Sequence, residues 1–127
     1  MAAGAGAAAL VAPLASADSA SESAANELTV TVTGSPVPGQ NGTHRLTCEP
    51  AGGNHPDPAG ACRILAGMAD PFAPVPANQM CTQIYGGPAT AQVTGRWRGR
   101  PVDAAFRRTD GCQTSRWDNL APVLPAQ

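Results

Sequence analysis

Groups able to do chemistry are few and widely spaced in this 127-residue chain. It has two histidines, His44 and His55, and cysteines at 48, 62, 81 and 112; nine residues are acidic and all eight basic ones are arginine. Hydrolysis by an activated serine needs a strained nucleophile elbow, and no serine stands in a Gly-x-Ser-x-Gly frame. His44 falls in a strand-like run and His55 precedes Pro56 in a loop, so both read as structural. They lie eleven residues apart with Asp57 the only acid near them, which fits a solvated loop better than a metal site. The acids are scattered, and none pair as an acid-base hydrolase would require. No Cys-x-x-Cys pair occurs, which argues against zinc ribbons and thioredoxin-type redox sites. No cofactor and no metal are implied, and the chain does not read as an enzyme.

Arg96, Arg98 and Arg100 alternate along one expected strand, with Arg107 and Arg108 on the next and Trp97 pointing the other way. A nucleic-acid surface needs a larger net charge than −1 and aromatics on the basic face. The arginines read instead as a solvated row guarding a sheet edge. The same balance argues against a membrane-surface partner. Asn41-Gly42-Thr43 matches a glycosylation acceptor but reads as a plain turn.

The elements that must position these groups form a small unit. Aromatics make up only 4% of the chain, so its core is small and gains from cross-links. An even number of distant cysteines predicts two disulfides, with three connectivities open; pairing neighbours in sequence is the simplest. Each closure contributes on the order of 3 kcal/mol in the chain-entropy account. Met1 to Leu14 is an apolar, alanine-rich run too short to span a bilayer, and Ala15-Ser16-Ala17 fits a small-x-small cleavage site. Residues 1–17 therefore read as a truncated signal peptide, lacking a basic n-region. Residues 18–27 read as a flexible segment and 28–127 as one folded domain, exported and soluble.

Leu28 to Thr33 alternates apolar residues with threonine and predicts a half-buried strand. Residues 34–42 read as a turn-rich connection and Thr43 to Cys48 as a hairpin partner. Asp57 and Pro58 open a helix with an apolar stripe at Ala61, Ile64, Leu65 and Met68, stopped by Asp70-Pro71. Pro71, Pro74 and Pro76 hold the next segment extended. Residues 89–99 and 100–108 predict two more strands, Cys112 to Trp117 a short helix capped by Asp110, and Ala121 to Leu124 a last short strand. The order predicts an α+β fold: an antiparallel sheet with helical packing on one face.

One stretch, "NQMCTQIYGGP" from Asn78 to Pro88, fits that plan poorly. It has strand-forming residues, yet it lies between a proline-rich approach and a Gly86-Gly87-Pro88 break. If Cys81 is bonded, the segment is extended, exposed and tethered, the shape proteases grip by strand addition. An ordinary strand and turn is the competing reading.

The chain resembles the Streptomyces subtilisin inhibitor family of secreted serine-protease inhibitors. "LTVTV", "RLTCEP", "HPDPAGAC", "MCTQIY" and "VTGRWRG" carry the resemblance, from about Leu28 to Leu124, together with the spacing of all four cysteines. It implies a five-stranded antiparallel sheet with two helices, the disulfides Cys48–Cys62 and Cys81–Cys112, and a two-fold homodimer built on the sheet. It also implies a reactive bond two residues after the loop cysteine, Gln83–Ile84. Gln83 would enter the protease's primary specificity pocket, Thr82 and Met80 the second and fourth upstream pockets, and Ile84 the first downstream. Cys81 and Tyr85 complete the contacting loop. The sequence departs from the family at three places. Thr82 replaces a frequent proline, removing a φ constraint. Gln83 replaces the usual methionine, lysine or arginine, leaving a trypsin pocket's acid unpaired. Asp110 stands where the family often has a loop-supporting asparagine, and a carboxylate accepts hydrogen bonds without donating them.

The expected partner is an extracellular, subtilisin-like serine protease. Two other functions use the same residues. An exposed Gln83 would suit a transglutaminase-like enzyme as acyl donor, on a secreted scaffold. A metalloprotease-directed inhibitor would use Ile84 as its main anchor.

Overall fold

The computed structural model describes residues 25–127. The expected signal peptide at 1–17, and residues 18–24 of the segment read as flexible, lie outside the described residues. The strands are β1 (Glu27–Thr33), β2 (Gly42–Thr47), β3 (Thr90–Trp97) and β4 (Arg100–Phe106), and the helices are α1 (Pro58–Ala66) and α2 (Gly111–Asp118). One four-stranded sheet runs in the order β2-β1-β3-β4, with every neighbour antiparallel.

The alternation in β1 sets its faces. Leu28, Val30 and Val32 point into the core, and the threonines between them point out. Val30 sits opposite His44 on β2 and Val93 on β3. Leu28, Val30, Leu46, Val93, Ala104 and Phe106 from the sheet share one core with Ala61 and Leu65 of α1 and Trp117 of α2. Both helices thus cover the same side of the sheet. The cysteines pair as sequence neighbours, Cys48–Cys62 and Cys81–Cys112, and no cysteine is free.

Three expectations about the elements are corrected. The fifth strand is not formed: among the described residues the sheet has four strands. Ala121 to Leu124 is a turn whose N–H groups bond back toward α2, Ala121 to the Asp118 carbonyl and Leu124 to the Leu120 carbonyl. Val123 and Leu124 are nonetheless buried in the core. Pro122 has no N–H to give a ladder, so burial is achieved without pairing.

Helix α1 is shorter than its apolar stripe. Asp57 caps it by accepting from the Gly60 N–H, and Pro58 opens it. It ends at Ala66, with Gly67 closing the last turn well before Asp70-Pro71. A side chain some thirty residues away supports this end. Arg98 donates to the carbonyls of Ala66 and Met68, satisfying groups that a helix end leaves open.

The expected arginine row is broken as well. Trp97 pairs with Arg100, so Arg98 and Gly99 alone make the turn. Both have positive φ, 51° and 77°, the geometry of a tight hairpin whose twist matches its strands. Arg98 therefore leaves the strand and lies over the Trp97 ring at 5.3 Å.

The histidines are structural. His55 is buried; its Nε2 lies 3.0 Å from the Val123 carbonyl, and its Nδ1 accepts from the Asp57 N–H at 3.0 Å. It ties the approach to α1 to the C-terminal turn, with His44 edge-on beside it. The Asn41 side chain closes on Ser35, bonding its N–H and its carbonyl, as a turn residue does. Among the described residues, no helix is long and apolar enough to cross a membrane.

Candidate functional site

Residues 80–87 carry no strand, helix or turn assignment and run across the surface between α1 and β3. Their side chains face solvent to a degree unusual for apolar residues: Met80 is 93% exposed, Ile84 71% and Tyr85 63%. Thr82 and Gln83 are exposed as well. No other part of the described chain exposes large apolar side chains in a run.

The run is anchored from both sides. Upstream, Cys81 is bonded to Cys112 in the first turn of α2. Next to it, the Gly111 N–H donates to the Thr82 carbonyl at 2.9 Å. Downstream, the Gly86 N–H donates to the Arg108 carbonyl at 2.7 Å, and Arg108 Nε donates back to the Gly86 carbonyl at 3.1 Å. Gln83, Ile84 and Tyr85 span the gap between these anchors. Gln83 Nε2 reaches the Cys81 carbonyl at 3.4 Å, a weak contact within the loop.

Both anchors need glycine for space. A Cβ on Gly111 would overlap the Thr82 hydroxyl, and a Cβ on Gly86 would overlap the Thr114 hydroxyl while crowding the Arg108 carbonyl at 3.1 Å. The close approach is what brings backbone donors within reach of backbone acceptors.

The body under the anchors is closely packed. Arg108 leaves β4 buried; its Nη1 pairs with Asp118 at 2.8 Å, and its guanidinium lies 5.5 Å from the Trp117 ring centroid. Trp117 is fully buried and donates to the Pro125 carbonyl at 2.9 Å. Asp110 caps α2, its Oδ1 accepting from the Gln113 N–H at 2.9 Å. The hydrogen bond reaching the loop here comes from the Gly111 backbone, one residue on.

Arg116 fixes the proline-rich approach. It donates to the carbonyls of Phe72, Ala73 and Ala105 and stacks 3.9 Å from the Phe106 centroid. Burial, and secondarily the nearby Arg107, pull its pKa below the usual arginine value, and a guanidinium remains a cation there. A cleft of about 540 Å³ lies between this segment and α2, lined among others by Pro74, Met80, Thr82 and Cys112.

Cys81, Asp110 and Cys112 bring three ligand-type atoms within 4.8 Å of one another. Their two sulfurs are bonded to each other, so no thiolate is left for a metal.

Every residue singled out from Met80 to Tyr85 thus lies on one exposed, doubly held loop. Arg108, expected in a solvated arginine row, is instead buried, and the contacts that Arg108, Gly86 and Gly111 make with the loop escaped the sequence reading. Gly86 was legible only as part of a turn. The Arg108–Asp118 pair has a spacing that marks no helix face or strand face.

A family model described as subtilisin inhibitor-like matches residues 17–109. Subtilisin inhibitor-like protein 1 of Streptomyces cacaoi is 34% identical over 76 residues, 56% of this chain and 68% of its own length. Kexstatin-1 of Streptomyces platensis is 32% identical over 72 residues, 54% of this chain and 49% of its own length. A crystal structure of Streptomyces caespitosus sermetstatin in complex with Bacillus licheniformis subtilisin superposes with a TM-score of 0.45 and 24% identity, covering 75% of this chain and 91% of that one.

Proposed function

We propose, from the premise that this chain belongs to the subtilisin inhibitor-like family of protease inhibitors, that it inhibits a subtilisin-type serine protease by offering Gln83–Ile84 as a substrate-like bond. One observation carries the reading. The exposed run Met80–Tyr85 is held on one side by Cys81–Cys112 and Gly111, and on the other by Arg108.

An extended backbone adds to a protease cleft as a strand, and a loop already ordered loses little entropy in doing so. Gln83 enters the primary pocket, Thr82 and Met80 the second and fourth upstream, and Ile84 the first downstream. The protease serine attacks the Gln83 carbonyl. If the bond opens, the new Ile84 amine stays beside the acyl-enzyme, because its tether does not let it diffuse away. Religation then competes with hydrolysis through a high effective concentration. An uncharged Gln83 leaves an acidic primary pocket unpaired, so subtilisin is the favoured target over trypsin.

The same reading has the chain exported and paired as a two-fold dimer through the outer face of the sheet. That face shows Thr29, Thr31, Gln92 and Thr94, and no element covers it among the described residues.

Titration of the disulfide-intact chain against subtilisin, trypsin and thermolysin tests the reading. Stoichiometric loss of subtilisin activity is expected, with trypsin little affected. Full activity of all three at excess chain overturns it, and inhibition of thermolysin alone transfers the loop to a metalloprotease.

A further inference from the structure

We propose that Arg108 is a positioning residue that holds the leaving side of the Gln83–Ile84 bond, making the chain an inhibitor rather than a slow substrate; this rests on the inhibitor reading above. The two anchors are not equivalent. Cys81–Cys112 and the Gly111 bond lie upstream of Gln83 and hold only the acyl half of an opened bond. The amine half begins at Ile84, and the sheet does not take up the chain until Thr90. Among the described residues, the hydrogen bonds that hold Ile84 to Pro88 are both between Gly86 and Arg108: the Gly86 N–H donates to the Arg108 carbonyl, and Arg108 Nε donates to the Gly86 carbonyl. Arg108 therefore shortens the free tether of the new amine from the start of β3 to two residues.

The arrangement is costly for Arg108 unless it is matched on every side. A buried arginine side chain, 7% exposed here, needs partners, and it has three: the Gly86 carbonyl, the Asp118 carboxylate and the Trp117 face. The fork geometry serves two of them at once, Nε to the loop and Nη1 to α2. The loop exit is thereby coupled to the body through one side chain and its own carbonyl.

In religation the Ile84 amine attacks the Gln83 acyl carbon. A C–N bond forms, the ester C–O bond breaks, and the amine's proton passes through the protease's general base to the departing serine oxygen. The rate of that step follows the local concentration of the amine, which the Arg108 clamp sets.

The test uses the full, disulfide-intact chain with subtilisin. Cleavage of Gln83–Ile84 is followed by mass, and religation is followed from the nicked form. Arg108→Met is expected to be cleaved about tenfold faster and religated about tenfold slower, with an association rate within about twofold of wild type. Arg108→Lys, which keeps the cation but loses the fork, should fall between. A folded Arg108→Met with wild-type cleavage and religation overturns the proposal. If Arg108→Met does not fold, Asp118→Asn decides, since the Asp118 side chain is 54% exposed. Faster cleavage of the Asp118→Asn variant by about threefold is expected, and an unchanged rate overturns the proposal. A wild-type chain that leaves subtilisin active overturns the inhibitor reading itself and the role of Arg108 with it. Inhibition by wild type and Arg108→Met alike, with equal cleavage, overturns the role of Arg108 only.

Discussion

Gly111 and Thr82 meet backbone to backbone: the Gly111 N–H, at the start of α2, donates to the Thr82 carbonyl at 2.9 Å. The bond lies one residue upstream of Gln83 and one residue from each half of the Cys81–Cys112 bridge. A helix start and a loop are thus joined covalently and by hydrogen bond at adjacent positions, and that joint orients the exposed run that follows.

Breaking the covalent half should convert inhibitor to substrate. In Cys81→Ala/Cys112→Ala the 31-residue closure is lost, costing about 3–4 kcal/mol in the chain-entropy account. Cleavage of Gln83–Ile84 by subtilisin should rise sharply while Cys48–Cys62 and the sheet persist. Unchanged inhibition, measured by progress curves on a folded double variant, would remove the bridge from the mechanism.

Gln83→Lys separates the inhibitor from an acyl donor. A lysine gives an acidic primary pocket its ion pair, so trypsin inhibition should strengthen by about tenfold or more. A scaffold whose role is to present the Gln83 amide would lose its reaction with an amine-donor probe and gain nothing toward trypsin.

Gly86→Ala tests the downstream anchor through space. The added methyl overlaps the Thr114 hydroxyl and crowds the Arg108 carbonyl, so the loop exit must shift. A loss of about 1–3 kcal/mol is expected in thermal unfolding, with weaker subtilisin inhibition. Wild-type values in both measurements would show that the close approach is not needed.

Leu124→Ala tests the C-terminal turn. Leu124 is fully buried without belonging to any strand. Truncation should cost about 2–5 kcal/mol in denaturant unfolding, as at a core site. A change under about 0.5 kcal/mol would mean that the turn is peripheral.

The faces of β1 were readable because alternation in "ELTVTVT" is a local property of an extended chain: neighbouring side chains point to opposite sides whatever the sheet becomes. The start of α1 was readable because Asp57 and Pro58 act within one turn of themselves. Its end was less so: Gly67 closes the last turn, and the carbonyls of Ala66 and Met68 are taken up by Arg98 from the distant β3–β4 turn. Ala121 to Leu124 was legible as apolar and buried but not as a turn, because its backbone partners belong to the end of α2.

The loop divides the same way. Asn78 to Pro88 is marked in the bare chain: prolines and a Gly-Gly break bound it, it holds a cysteine, and its side chains are uncharged. Those are local facts of composition and backbone freedom. How the segment is held belongs to the packed fold. The Gly86–Arg108 and Thr82–Gly111 contacts join residues far apart in the chain, and they exist only once β4 and α2 stand beside the loop. Hydrogen bonds act over about 3 Å, and no spacing rule in a sequence encodes so short a distance between such distant residues.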